Sequence, residues 1–325
     1  MKTKVILMTC LMVLQTSFAI AVNERNEPSV SGVNDVNVVA ARETEALATS
    51  WIEAFRVANP DARVNMVAPD KAQPSDIHII AAGSPDFLND PGTWKIVVGR
   101  EVIVPVMNES DPCYSLISGR GISPAEFSRI ISSDGSLTWG KLIGTDSNIP
   151  VTAIIPEDNA ALASIAGFTA LDPALVTASR QPKGTAATSL SGAKPGTVVF
   201  CRLSDITDRT GREFAGGIRI VPVDMNGNAK SDYFEQFYAG FDSFNRGVYI
   251  GKYPKSLCNN IYAASSVAPA EGVASDLISF ILIDGQRLVA ASGFTALAYG
   301  EGLLKKDALV SGQEVITPAT DRAAA

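Results

Sequence analysis

The chain has little of what most enzyme chemistries draw on. It carries one histidine, His78, inside an Asp-Ile-His-Ile-Ile run that reads as a strand. A Ser-His-Asp or Cys-His relay needs an imidazole held against the nucleophile. His78 reads instead as a packed or hydrogen-bonded strand residue. The acid pairs Glu43/Glu45 and Glu157/Asp158 have the chemistry for proton transfer, but are more simply solvated carboxylates at helix starts. The expectation is a protein that is not an enzyme. Cysteine is also scarce. Of four, Cys10 lies in an N-terminal apolar run, leaving Cys113, Cys201 and Cys258. An odd, sparse set implies no disulfide framework, although one pair remains open. With a lone histidine it offers no zinc site. Basic clusters are missing, and the formal charge is −7, which argues against nucleic acid and against anionic membrane surfaces. The segment Ser118-Gly119-Arg120-Gly121 lacks the lysine and the preceding strand of a phosphate-cradling loop, and reads as a flexible turn. Past residue 21 no apolar run is long enough to span a bilayer.

What is present starts with a leader. Lys2 and Lys4 precede an apolar stretch over residues 5–21 that ends in Ala19-Ile20-Ala21. This is the pattern of a cleaved signal peptide over residues 1–21. The mature chain would begin at Val22, carry a charge of −9 after loss of the two lysines, and be periplasmic or secreted, with no membrane insertion after cleavage.

Strands and helices then alternate. Residues 35–41, 62–67 and 76–81 read as strands. Residues 44–58 carry Leu47, Trp51, Ile52 and Phe55 at helical spacing, stopped by Asn59-Pro60. Residues 94–106 are rich in valine and isoleucine and read as one or two buried strands. Ser123-Pro124-Ala125-Glu126 has a capping residue, a first-turn proline and an acid three residues past the cap, and opens a helix. Further strands are expected at 150–155, 197–203, 217–223 and 260–267, and helices at 159–168, 235–241 and 272–282. Residues 247–253 are aromatic and β-rich. This rhythm argues for an α/β fold with a largely parallel sheet. Two lobes are expected: residues 34–106 with 218–316 as a discontinuous first lobe, and 107–217 as the second.

One loop has metal-ligand spacing. Asp224, Asn226, Asn228, Asp232 and Glu235 occupy positions 1, 3, 5, 9 and 12, and Lys230 would contribute its backbone carbonyl at position 7. That is the pattern of an EF-hand calcium loop. Ala229 stands where the usual glycine makes the sharp turn, and Ser231 where an apolar residue is usual. A structural Ca²⁺ is one expectation. An Asn/Gly-rich turn leading into a helix is the other.

The order of several segments resembles the type 2 periplasmic solute-binding proteins, in particular the phosphate-binding branch of ABC importers. The segments are Glu43-Thr44-Glu45-Ala46-Leu47 with Trp51 and Phe55, Asp76-Ile77-His78-Ile79, and Val102-Ile103-Val104-Pro105-Val106 with Asn108 and Pro112. Trp139-Gly140, residues 199–205, Gly247-Val248-Tyr249 through Tyr253-Pro254, Asn260-Ile261-Tyr262, and Gly285-Gln286 with Gly293 follow. Together they cover residues 38–300. The resemblance implies a two-lobed α/β fold with mixed sheets and crossing hinge strands. It also implies a small anion such as phosphate held in the cleft at helix N-termini, where free N–H groups favour an oxyanion, and an ABC permease as partner. The loops at 40–45 and 155–160 depart from the small-hydroxyl pattern of that branch: Glu157 and Asp158 would repel phosphate at close range, and Arg42 would offset one charge. The positions implied as ligand contacts are Arg42, Thr44, Ser84, Asn108, Asp158 and Asn159. An alternative is a calcium-stabilised secreted recognition or scaffold protein on the same fold that no longer serves import.

Overall fold

The computed structural model describes residues 35–81, 90–155, 159–178, 186–208, 213–269 and 271–311. The expected signal peptide, Ser84 and Asp158 lie outside them. In chain order the elements begin with β1 (Asp35–Ala40), α1 (Glu45–Ala58), β2 (Arg63–Val67), β3 (Ile77–Ala81) and β4 (Trp94–Asn108). Next come α2 (Pro112–Ile117), α3 (Pro124–Ile131), α4 (Trp139–Ile143), β5 (Thr152–Ile154), α5 (Asn159–Thr169), α6 (Pro173–Ala178) and α7 (Ala186–Ser191). The chain continues with β6 (Thr197–Arg202), α8 (Leu203–Ile206), β7 (Ile218–Ile220), α9 (Phe241–Tyr249), β8 (Cys258–Ser265), α10 (Gly272–Leu282) and α11 (Tyr299–Ser311).

Local chemistry accounts for the well-defined ends. Helix α1 buries Leu47, Ala48, Trp51, Ile52 and Phe55, and stops where the Asn59 N–H bonds the Phe55 carbonyl and Pro60 follows. Helix α3 has the full capping box: Ser123 Oγ accepts from the Glu126 N–H, and Glu126 accepts from the Ser123 N–H. Arg120 adds an ion pair to Glu126 at 2.7 Å. Burial alone would raise the Glu126 carboxyl, but the bonds from Arg120 and Ser123 outweigh it and the net shift is downward.

The strands form one mixed sheet in the order β2-β1-β3-β8-β4-β6-β5, with β7 also on β4. β4 is a single strand of 15 residues, roughly 50 Å long at 3.3 Å per residue. Its first part, Trp94 to Val102, pairs antiparallel with β8. Its second part pairs antiparallel with β6 from Ile103 to Val106 and with β7 from Val106 to Asn108. The crossing therefore falls between Val102 and Ile103. Two apolar cores lie on either side of it. The first gathers Val38, Leu47, Trp51, Phe55, Ile79, Val97, Ile261, Leu277 and Phe294. The second gathers Val104, Phe127, Trp139, Ile165, Phe200, Ile220, Phe237 and Phe244.

Three sequence expectations change. Residues 218–257 were placed with the first lobe, but Ile218, Ile220, Val223, Phe241, Phe244, Tyr253 and Leu257 all pack in the second core. The chain re-enters the first core only with β8. The reason is β7: its short apolar strand pairs with the far half of β4 rather than with β8. Residues 233–235 are a short 3-10 turn and the helix starts at Phe241, because Gly240 breaks the run. Consequently residues 247–249, β-rich by composition, close a helix whose aromatic face is buried.

Cys113, Cys201 and Cys258 are free thiols. Cys201 is paired with Val104 and Cys258 with Val102, on opposite edges of β4. Burial pushes the Cys113 and Cys258 thiols up to about 12. No helix among the described residues is long and apolar enough to cross a membrane.

Candidate functional site

Strand direction locates the site. β1 and β3 are parallel, β3 is antiparallel to β8, and β8 is antiparallel to β4. β1 and β3 therefore run with β4 and end on the side of the crossing: Ala81 is level with Ile261, which in turn faces Gly99. In the second lobe β6 runs against β4, and β5 runs with β6. Their carboxyl ends come back toward the crossing, with Arg202 level with Ile103. Four strand carboxyl ends, two from each lobe, thus point toward one junction. In open α/β sheets the carboxyl ends of strands are where ligands are held.

Helix α1 starts at this junction after the turn 41–44. Its cap residue Thr44 makes no side-chain cap bond. The Thr44 hydroxyl donates instead to the Ile79 carbonyl at 2.7 Å and the Ala41 carbonyl at 3.2 Å, and the residue is fully buried. Thr44, expected as a ligand contact, therefore pins β1 to β3, while among the described residues no side chain accepts from the first N–H groups of α1. Arg42 is exposed on the turn, flanked by Glu43 and Glu45. Asn159 opens α5 and is exposed.

Asn108 does not join this group. It ends β4, five residues past Ile103, roughly 17 Å along the strand. Its Oδ1 accepts from the Ser110 N–H at 2.9 Å and from the Ser110 hydroxyl at 2.7 Å. A cavity of about 120 Å³ lies there, lined by Asn108, Asp111, Lys194 and Thr197 among others. It is smaller than ordinary small-molecule pockets and far from the strand ends, so the junction is the stronger candidate.

Sequence reasoning missed the polar groups at the base of the junction. Glu101, 1% exposed, stands 2.7 Å from Arg202 Nε as an ion pair, although the contact departs from hydrogen-bond geometry. Across the strand pair from Glu101 sits Asn259, whose Oδ1 accepts from Ser164 on α5 at 2.8 Å. Thr295 in turn donates to Asn245 on α9 at 2.9 Å. Each of these contacts joins one core to the other. The available signal was weak: a charged residue in the middle of an apolar strand (Glu101), and another closing one (Arg202). His78 stays in β3, where its Nε2 bonds the Gln73 carbonyl at 2.9 Å.

The calcium-like loop folds on its own hydrogen bonds. Asp224, 1% exposed, accepts from the N–H groups of Gly227 and Ala229, both at 2.8 Å. Asn226 accepts from the Asn228 N–H, and Asn228 from the Lys230 N–H. Asp232 accepts from the side chains of Asn226 and Asn228, and Glu235 from the N–H groups of Met225 and Asp232. Ala229 takes the left-handed turn at φ +58°. The segment read as a flexible turn backs the loop: Gly121 lies against Asp224, and the Gly119 carbonyl accepts from the Ser231 N–H. Among the described residues no group of three or more His, Cys, Asp or Glu side chains is placed to hold a metal ion.

No family model and no curated protein matches the sequence. Solved structures do match by fold. A phosphate ABC transporter substrate-binding protein from Clostridium perfringens, with bound phosphate, superposes at a TM-score of 0.54 and 14% identity over 82% of this chain and 100% of that one. PstS from Borrelia burgdorferi gives 0.52 and 12% over 82% and 99%. An ABC-type phosphate transport receptor from Vibrio cholerae gives 0.50 and 10% over 80% and 99%. The likeness is one of fold: the chain shares the two-lobed α/β architecture of these substrate-binding structures.

Proposed function

We propose that this chain is an exported substrate-binding protein of an ABC-type importer, and that it takes a small oxyanion, phosphate being the first to test, at the junction of its lobes. The observation that carries the reading is the convergence of four strand carboxyl ends, with α1 presenting a first turn that no side chain among the described residues caps. Backbone N–H groups and the helix dipole suit an anion without requiring a full counter-charge. The solved proteins of the same fold include one with phosphate bound, and this supports binding rather than catalysis. The acidic flanks of Arg42 favour recognition by donors over recognition by net positive charge. Export and a permease partner belong to the same proposal.

Calorimetric titration of the purified protein with phosphate, sulfate and small carboxylates tests it, with X-ray scattering in parallel. Micromolar binding of one oxyanion, roughly −8 kcal/mol, with a fall in radius of gyration, is the expected result. Silence toward every oxyanion, together with capture of a protein or glycan, would replace importer with the recognition or scaffold alternative.

A further inference from the structure

We propose that the exposed apolar stripe of α11 is the surface on which a second copy of this chain docks, helix against helix and antiparallel. The helix is turned the unusual way round. It buries Gly302, Lys305 and Leu309. Lys305 is 2% exposed, while Tyr299, Leu304 and Val310 are 65%, 71% and 68% exposed and Leu303 is exposed beside them. Burying a lysine while leucine and valine stay in water reverses the usual segregation of a surface helix. Contacts on the inner face hold this rotation. A methyl group at Gly302 would fall 2.4 Å from the Leu282 carbonyl oxygen, so α11 sits against the end of α10 where no side chain fits. Lys305 Nζ stands 3.7 Å from Glu301, and Glu301 takes Arg100 of β4 at 2.9 Å. Leu309 belongs to the first core. Rolling α11 to cover its leucines would break these contacts together, so the apolar side is presented rather than left over.

The order of residues along the stripe points to a second copy. Tyr299, Leu303 and Val310 follow one another after four and seven residues, which places them within about 40° of each other around the helix. Lys306 and Asp307 lie on either side of that line, between Leu303 and Val310. This arrangement is self-complementary. About a two-fold axis passing between Lys306 and Asp307, antiparallel copies set each Lys306 against Asp307 of the other and each Leu303 against Val310 of the other, every contact being made twice. Opposite charges then meet at the centre of the seam and apolar side chains meet on both flanks. A lipid surface suits the face less well. Interfacial helices line their polar side with Lys and Arg, whereas of the two lysines of α11 one is buried and the other is matched in charge by its neighbour Asp307. The proposal is independent of the solute-binding reading.

The test is sedimentation equilibrium of the purified protein across roughly 1 μM to 1 mM, with thermal melts reporting folding separately. One helix pair is a small interface, so a weak, concentration-dependent dimer is expected. Val310→Glu, which sets a carboxylate against Leu303 on both flanks, should weaken it at least about tenfold. Lys306→Glu and Asp307→Lys each leave like charges facing at the centre, and each should weaken it roughly three- to tenfold. The two together restore the opposite pairing and should return the dimer to within about twofold of the wild type. A wild type that stays monomeric throughout overturns the proposal. So does a dimer that folded Val310→Glu leaves unchanged. Should Val310→Glu fail to fold, the charge variants decide: loss in each single and recovery in the double supports the seam, and no loss in either single overturns it. A monomer that floats with phosphatidylglycerol vesicles would assign the stripe to a membrane and overturn the second copy as its occupant.

Discussion

The two lobes use the same staple but set it differently. In the first, Trp51 donates from its indole nitrogen to the Gly285 carbonyl at 2.9 Å. In the second, Trp139 donates likewise to the Gly196 carbonyl at 3.2 Å. Both indoles are fully buried. At Gly285 a methyl group would meet the Trp51 ring at 3.0 Å and the Phe280 carbonyl oxygen at 3.2 Å, but the backbone is not left-handed, so space alone excludes a side chain. At Gly196 the backbone is left-handed at φ +86°, and a methyl would lie 2.3 Å from the Pro150 carbonyl oxygen. There conformation and space both require glycine. The second lobe is also the more aromatic: Phe127 packs on Phe168 and Phe200, and Phe244 on Phe237 and Tyr253. The difference teaches that equal contacts can sit on unequal backbones, and the less forgiving backbone belongs to the lobe with the contiguous chain.

The largest expected effect breaks this comparison if it is wrong. Gly196→Ala adds a left-handed alanine to a backbone clash and should cost upward of about 3 kcal/mol. Gly285→Ala should cost about 1–3 kcal/mol, since its contacts are looser and its backbone is not left-handed. Urea unfolding of the two variants measures both, and a larger loss at Gly285 would reverse the account.

Next in size is the self-bonded loop of the second lobe, residues 224–235. Asp224→Ala strands two N–H groups and should lose about 2 kcal/mol. The loss is expected in chelator as well as in millimolar calcium, because the bonds are internal to the loop. A calcium-dependent rise in the wild-type melting temperature that Asp224→Ala or Glu235→Ala removes would add the ion to the account.

The smallest effect concerns acid. Glu126 in the second lobe has its folded pKa below the ordinary 4.5. Its stabilisation is full above that value and is lost as pH falls through the lowered folded value. Glu126→Gln should therefore cost about 1 kcal/mol at neutral pH and nearly nothing in strong acid, as melts across that range would register.

Much of the fold was legible because its signals are local. The apolar spacing of α1, the Ser123–Glu126 box and the β-branched run of β4 each announce themselves within a few residues. The lobe boundary was not, because the pairing of β7 with β4 depends on residues more than a hundred positions apart. The candidate site was less legible. Thr44 was expected as a ligand contact, but its hydroxyl has a carbonyl to hold 35 residues away. Asn108 was drawn in by its place in a family-like segment, although strand length carries it away from the junction. Glu101 and Arg202 escaped notice because a lone charge in an apolar strand has no meaning until its partner strand is known.

The continuity of β4 bears on how the protein is made. Residues from 102 to 257 supply the whole second core, so that half is complete once Leu257 has emerged from the ribosome. The other half waits for β8, which belongs between β3 and β4 at the middle of its sheet. At 5–20 residues per second the remaining stretch to Ser311 takes about three to ten seconds. For that interval the nascent chain carries one finished body and one open sheet edge, a window in which a chaperone has something to hold.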